Sequence, residues 1–388
     1  MNREADALSS WLIQHAYPCW WSRGVDHARG GFHESLRLDG EPSGETRRAR
    51  LYPRQIYAFS VAAELGWSGP AEDAVRQGLQ ALATDYRRPD GLYRGLVAPT
   101  GAALVERAVL YDQAFVLLGF AGAYRVLGED SARDGARDLF ARLGSTLRNP
   151  NGGFEESTPQ SLPLLANSHM HLLEACLEWI DQDDDRAWSE VAEEIVELAL
   201  RRFHDPANGF IREFFNADWT LAPGDDADVA EPGHQYEWAW LLLRWSQRVH
   251  NPRAHQLALA LIDRTEDRGV DRARGVAINA LFGDGRVRDA RARLWPQTER
   301  IKATYLAGII TRQSRYTDTA AAAARSLMKY LDTPTPGLWR DTMDEHGAFV
   351  EQLVPASSFY HIVSAVLQLH HGQPPSTQDA IGSRNYQQ

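Results

Sequence analysis

The sequence predicts an all-α (α/α)6 barrel: six inner and six outer helices closed in one ring, with short β-hairpin loops at one end. Three observations predict it. A glycine-led segment recurs about every sixty residues. Each interval between recurrences holds two helical patterns. One of the two is apolar all round and the other on a single face, as expected of a buried helix and a helix covering it. The recurring glycines are Gly31, Gly91, Gly153, Gly209, Gly275 and Gly337, at spacings of 60, 62, 56, 66 and 62. Each leads into a short polar–apolar alternation, as in Gly31-Phe32-His33-Glu34 and Gly337-Leu338-Trp339-Arg340. Turn dipeptides such as Asp39-Gly40, Thr100-Gly101, Asp284-Gly285 and His346-Gly347 follow and predict hairpins.

The inner helices are expected over 52–65, 109–127, 170–180, 236–249, 295–311 and 359–369. The outer helices are expected over 5–21, 71–86, 131–147, 186–203, 252–267 and 317–331. A length of 388 residues would allow two or three ordinary domains. The repeat instead makes residues 1–371 a single catalytic domain, with 372–388 a polar, proline-containing C-terminal tail.

Composition narrows the function. Asp and Glu outnumber Lys and Arg by 52 to 41, a formal net charge of -11, which argues against nucleic-acid and anionic-membrane partners. No apolar run approaches 18 residues, and the N-terminus shows no secretory pattern. Two cysteines, Cys19 and Cys176, suit a reducing cytoplasm and supply no disulfide framework. A cytoplasmic monomer or homodimer is expected. The 12 Trp, 13 Tyr and 13 Phe are either core or the lining of a sugar pocket, and composition alone does not decide; Trp238, Trp240 and Trp295 fall close to inner-helix starts.

Because every inner helix follows a hairpin, the inner N-termini should gather at one mouth. Polar residues near those starts are Arg54, Asp112, His171, His234, Glu299 and His361, at offsets of 18 to 25 from their glycines. Six such residues on apolar helices point to a pocket, because buried polar groups are costly unless paired or used. His234 and Glu237, three apart, share a helical face, so Glu237 is expected to fix the His234 tautomer and raise its pKa. Asn167 and His171, four apart, share another face, and His169 points elsewhere and reads as structural. His361 falls in the first turn of the last inner helix, whose N-terminus should keep it neutral and available as a base. Asn167, His171 and His234 could be forced into a zinc site, but no HExxH or paired-cysteine motif supports a metal. The hairpin from Gly31 to Glu45 is the candidate lid.

The segments Arg54-Gln55-Ile56-Tyr57-Ala58-Phe59, Tyr111-Asp112-Gln113-Ala114-Phe115, Asn167 through Glu174, His234 through Trp240, Trp295-Pro296-Gln297-Thr298-Glu299 and the His361 segment carry a resemblance. From Trp11 to His371 the chain resembles the N-acylglucosamine 2-epimerase superfamily. The lead-in Pro355 to His361 is most similar to its D-mannose isomerase branch. The resemblance implies an (α/α)6 barrel and an acid/base pair at His234 and His361. It implies Arg54 near the reacting carbonyl, Asn167, His171 and Glu237 as hydroxyl-binding or ring-opening residues, and Tyr111 lining the same pocket. It also implies a cofactor-independent aldose–ketose isomerase that opens a monosaccharide such as D-mannose and passes through a cis-enediolate to D-fructose. Neither a metal nor a redox cofactor is needed, since the open-chain carbonyl is itself the electron sink. A 2-epimerase uses the same residues and remains the alternative. An inverting glycosidase drawing two carboxylates from Asp112, Glu237 and Glu299, and a non-catalytic binding module, are the remaining readings.

Overall fold

The computed structural model describes residues 1–225 and 227–372, so the expected tail beyond Gly372 lies outside the described residues. Twelve helical stretches are found among them. Six form the inner layer: α2 (Leu51–Ser60), α4 (Leu110–Leu127), α6 (Ala166–Ile180), α8 (Pro232–Val249), α10 (Leu294–Thr311) and α12 (Ser357–His371). Six form the outer layer: α1 (2–24), α3 (71–86), α5 (Asp130–Thr146), α7 (187–203), α9 (Pro252–Arg268) and α11 (Ser314–Leu331). Each inner helix packs on the next, and α12 returns to pack on α2. The chain is an (α/α)6 barrel. No helix among the described residues is long and apolar enough to cross a membrane.

Burial follows the two sequence patterns. Every residue of α2 is buried, whereas α3 buries Ala71, Ala74, Val75, Gly78 and Ala81, the i, i+3, i+4 stripe of an outer helix. The ring closes through aromatic packing between its first and last elements. The Trp20 ring stacks on Trp339 at 4.9 Å and on Phe359 at 5.7 Å, and its Nε1 donates to the Gly337 carbonyl at 3.2 Å.

The loops at the mouth carry the expected hairpins and a second pairing besides. Local hairpins form around the turn dipeptides, as in Leu96–Val97 with Ala103–Val105 and Ala280–Leu281 with Val287–Asp289, and a further pairing joins neighbouring repeats. The residues entering each inner helix pair antiparallel with the strand after the next repeat's glycine. Arg47–Arg48 pairs with Leu96–Val97, Ala108–Val109 with Ser157–Thr158, and Leu164–Leu165 with Phe214–Phe215. Ala230 bridges Leu281, Ala292–Arg293 pairs with Thr342–Met343, and Val354–Pro355 closes the cycle on Ser35–Leu36. A single repeat leaves its strand edge unpaired, and only ring closure satisfies all six.

Side chains lock the same loops. Gln113, Gln235 and Gln297 each grip a backbone N–H and C=O two residues after a repeat glycine, at Tyr93, Ile211 and Ala277. In the third repeat His169 takes this role: its Nε2 accepts from the Phe154 N–H at 3.0 Å and its Nδ1 lies 3.0 Å from the Leu165 carbonyl. With Nε2 accepting, the ring is neutral, and burial depresses its pKa to about 4.

Candidate active site

The inner-helix N-termini surround a cavity of about 770 Å³. Arg54, Tyr111, Asn167, His171, His234, Glu237 and His361 all line it. Asp112 and Trp295 line it too, whereas Glu299 lies behind the wall, fully buried. Trp238 is core, 5.9 Å from Phe203, and Trp240 sits below over Lys302, so of the three tryptophans only Trp295 reaches the cavity. No residue from Gly31 to Glu45 lines it; the rim on that side is Gly95, Leu96, Val105 and Arg107.

The two proposed acid/base histidines both lie against the Trp295 ring, at 5.1 Å for His234 and 5.6 Å for His361. Their surroundings drive them to opposite charge states. Burial opposes the charge on His234, but Glu213, Glu231 and Glu237 outweigh it and push the pKa up to about 10. The partner of His234 Nδ1 is Glu213 at 3.0 Å, with Glu231 at 3.8 Å. Glu237, expected in that role, instead comes within 3.8 Å of His171 Nδ1. The shared helical face was read correctly from the sequence, but His234 turns its Nδ1 outward, toward the post-glycine strand that carries Glu213. Glu237 lies one turn deeper in α8.

His361 is driven the other way. Burial first, then Arg54, Lys302 and His171, hold its pKa well below the ordinary value. The helix starts at Ser357, which puts His361 in the second turn, so the dominant cause is burial among cations rather than the helix terminus. Its Nδ1 lies 2.8 Å from Glu299 Oε1. A neutral ring donating from Nδ1 to that carboxylate leaves the Nε2 lone pair free.

The remaining wall is built for hydrogen bonding. Arg54 donates to the Tyr111 hydroxyl at 2.6 Å and lies over the Phe115 ring at 4.0 Å. His171 is buried, its pKa depressed to about 4 by burial against the pull of Glu174, whose carboxylate lies 3.1 Å from Nδ1. Burial and the nearby Glu299 raise Glu237 well above the carboxylate range, so it is a neutral acid able to donate. Both Glu237 oxygens, Asn167 Oδ1 and Arg54 Nε are buried without a protein partner. Such atoms in a cavity are ready-made contacts for a polyhydroxyl ligand.

Among the described residues two groups could hold a cation: His171 with Glu174 and Glu237, and Glu237 with Glu299 and His361. Neither is the Asn167–His171–His234 set weighed from sequence. In both, the carboxylate other than Glu237 already has partners. Glu174 accepts from the Tyr360 hydroxyl and faces His171, while Glu299 divides its oxygens between His361 and the Lys302 ammonium, 2.7 Å away. That division also removes Glu299 from the carboxylates a glycosidase could draw on.

Sequence reasoning missed Glu213, Glu174 and Lys302 as members of the site. Glu213 lies four residues after a repeat glycine, where Asp341 also falls and next to the position of Glu34 and Glu156. Collecting post-glycine acids as well as helix starts would have found it. Glu174 follows His171 by three, the same spacing that was used for His234 and Glu237. Lys302 is one of two lysines in a chain with 41 basic residues, and it stands on an otherwise apolar inner helix.

The family model of N-acylglucosamine 2-epimerase (GlcNAc 2-epimerase) matches residues 30–365. The chain belongs to this family. A mannose-6-phosphate isomerase of Rhizobium meliloti (strain 1021) is 42% identical over 95% of this chain and 97% of its own. A D-mannose isomerase of Thermobifida fusca is 27% identical over 87% and 89%. The crystal structure of a D-mannose isomerase shares the fold with a TM-score of 0.88, at 21% identity over 95% of this chain and 99% of that one. The chain is therefore an enzyme of the sugar isomerase and epimerase superfamily.

Proposed function

We propose that the enzyme is a cofactor-independent aldose–ketose isomerase that converts D-mannose-type aldoses to the corresponding ketoses, with D-mannose and D-fructose as the reference pair. One observation carries this reading: two histidines face one cavity, one held cationic and the other neutral, each by its own carboxylate or cation partners. Groups whose environments push their pKa values apart are the natural acid and base of one reaction.

The chemistry follows from that difference. Once the sugar ring is open, His361 Nε2 takes the proton from carbon 2. The C2–H electrons form the C1=C2 bond, and the carbonyl pair moves onto O1, where it meets a proton from His234 and the guanidinium of Arg54. The resulting cis-enediol loses its O2 proton back to His234 while carbon 1 takes the proton from His361, giving the ketose. Asn167, His171 and neutral Glu237 hold the hydroxyls, and the exposed face of Trp295 packs against the sugar C–H face.

The 2-epimerase alternative rests on both histidines lining the one cavity, since it requires His234 to return the proton to carbon 2 from the face opposite His361. Incubation with D-mannose in deuterated water and NMR of the product separates the two. Fructose labelled at carbon 1 is the expected result. Glucose labelled at carbon 2, without ketose, overturns the isomerase reading.

A further inference from the structure

Beside the sugar-binding wall, the cavity carries a second chemistry that the isomerisation does not use. Five arginines line it, Arg48, Arg50, Arg54, Arg107 and Arg293, in a chain whose net charge is -11. Burial raises Glu156 to about 8 and Glu237 well above the carboxylate range, so these two do little to offset them, while Asp112, raised only to about 6, keeps most of its charge at neutral pH. Arg54 serves the reacting end, Arg48 is paired with buried Glu34, and Arg293 with Asp341.

Arg50 and Arg107 are left over. Among the described residues the exposed Arg107 has no hydrogen-bond or ion-pair partner, and Arg50 has a single long ion contact, 3.7 Å from Asp112, with its Nε buried and unpartnered. An arginine held against a cavity without a partner is an open anion contact.

The loops hold these two side by side. The Ala49 N–H donates to the Gly95 carbonyl at 3.0 Å, and the Gly95 N–H donates to the Val105 carbonyl at 3.1 Å. Gly95 thus joins the segment bearing Arg48 and Arg50 to the one bearing Arg107. A Cβ at Gly95 would approach the Arg107 carbonyl to 3.3 Å and Asp112 Oδ2 to 3.5 Å, a close approach that favours the absence of a side chain. The Arg50 guanidinium lies over the Tyr111 ring at 5.1 Å, and the hydroxyl of that same ring receives Arg54. Arg50 precedes Arg54 by four residues, about 6 Å nearer the mouth at 1.5 Å per residue. An open hexose with its carbonyl at Arg54 and the histidines therefore extends its far end toward Arg50 and Arg107.

We infer that Arg50 and Arg107, flanked by Arg48, form an anion site at the cavity rim that takes the phosphate of a hexose 6-phosphate, so that the preferred substrate is a phosphorylated aldose. The assignment rests on the isomerase reading for its chemistry. Two adjacent guanidiniums suit a phosphate, which accepts paired N–H bonds from each.

The experiment has a kinetic and a binding arm. The first compares kcat/KM for mannose, mannose 6-phosphate and mannuronate. The second measures calorimetric binding of mannitol and mannitol 1-phosphate, which are open-chain and unreactive. The wild type, Arg107→Met and Arg50→Met are compared in both arms, with circular dichroism as the folding control. The expected result is a preference of fiftyfold or more for the phosphorylated member of each pair. Each substitution should cut that preference about tenfold or more, the usual loss for a hydrogen bond to a charged group. Inorganic phosphate should compete, and more weakly at 0.5 M salt than at 0.05 M. Equal use of mannose and mannose 6-phosphate, a preference for mannuronate, or a preference untouched by both substitutions overturns the anion site while leaving the isomerase standing. Tight binding of mannitol 1-phosphate that Arg107→Met weakens, with no ketose formed from any sugar, upholds the anion site and sinks the isomerase reading.

Discussion

Replacing Glu213 by Gln tests the electrostatic logic of the site at one atom. The amide still accepts from His234 Nδ1, so the tautomer and the 3.0 Å geometry can persist while the charge is removed. Two unit charges at that separation attract by about 5.5 kcal/mol at an effective dielectric constant near 20, equivalent to about four pKa units as an upper figure. Glu231 still supports the imidazolium, so a fall of about three units is expected, from about 10 to roughly 7. At pH 8 the protonated fraction of His234 then drops from about 99% to about 9%, and kcat falls roughly tenfold, while at pH 6 the two enzymes differ little. Stability moves with it. The raised pKa of His234 contributes stability that is present in full below about pH 6.5 and lost as pH rises through about 10, so the variant is less stable than the wild type at neutral pH by up to roughly 4 kcal/mol. The assay is the pH profile of kcat from 5.5 to 10.5, with NMR titration of labelled histidine. If the basic limb of Glu213→Gln stays within half a unit of the wild type, His234 does not act as a Glu213-supported acid and the reasoning fails.

Other outcomes follow from the same contacts. His361→Gln should lower kcat by about 10³ or more and abolish solvent exchange at carbon 2 together with ketose formation, with an unchanged circular dichroism spectrum; retained exchange would move the base elsewhere. Lys302→Met removes the ammonium 2.7 Å from Glu299 and leaves that carboxylate buried without its cation. Urea unfolding should show a loss of about 3–5 kcal/mol, and a loss under 1 kcal/mol would contradict the buried ion pair. His169 and His171 have folded pKa values near 4. The unfolded chain therefore binds more protons than the folded one between about pH 6.5 and 4, and stability should fall across that window by up to roughly 1.4 kcal/mol per pH unit for each histidine. His169→Gln, which installs the loop-locking residue used by three other repeats, should remove one proton's worth of that slope while keeping the fold. An unchanged slope in the variant counts against the assignment.

Amino-acid order alone determined the barrel and most of its contents. Burial of a helix on all sides or on one is written in its residue pattern, and a pattern repeated six times needs no knowledge of neighbours to count. The inner-helix starts, and with them Arg54, Asn167, His171, His234, Glu237 and His361, were legible for the same reason: a polar residue on an apolar helix is a local anomaly.

Tertiary structure decided what is non-local. The hairpins expected within repeats form, and the pairing between repeats comes in addition, because a strand edge is satisfied by whatever backbone the ring brings beside it. The partner of His234 was expected three residues away and is Glu213, twenty-one residues back on the loop after the previous helix. His361 is neutral through burial beside Arg54 and Lys302, groups from two other inner helices, rather than through its own helix terminus. Proton affinities depend on charges a few ångströms away in space, and that distance is set by ring closure, which no single repeat contains.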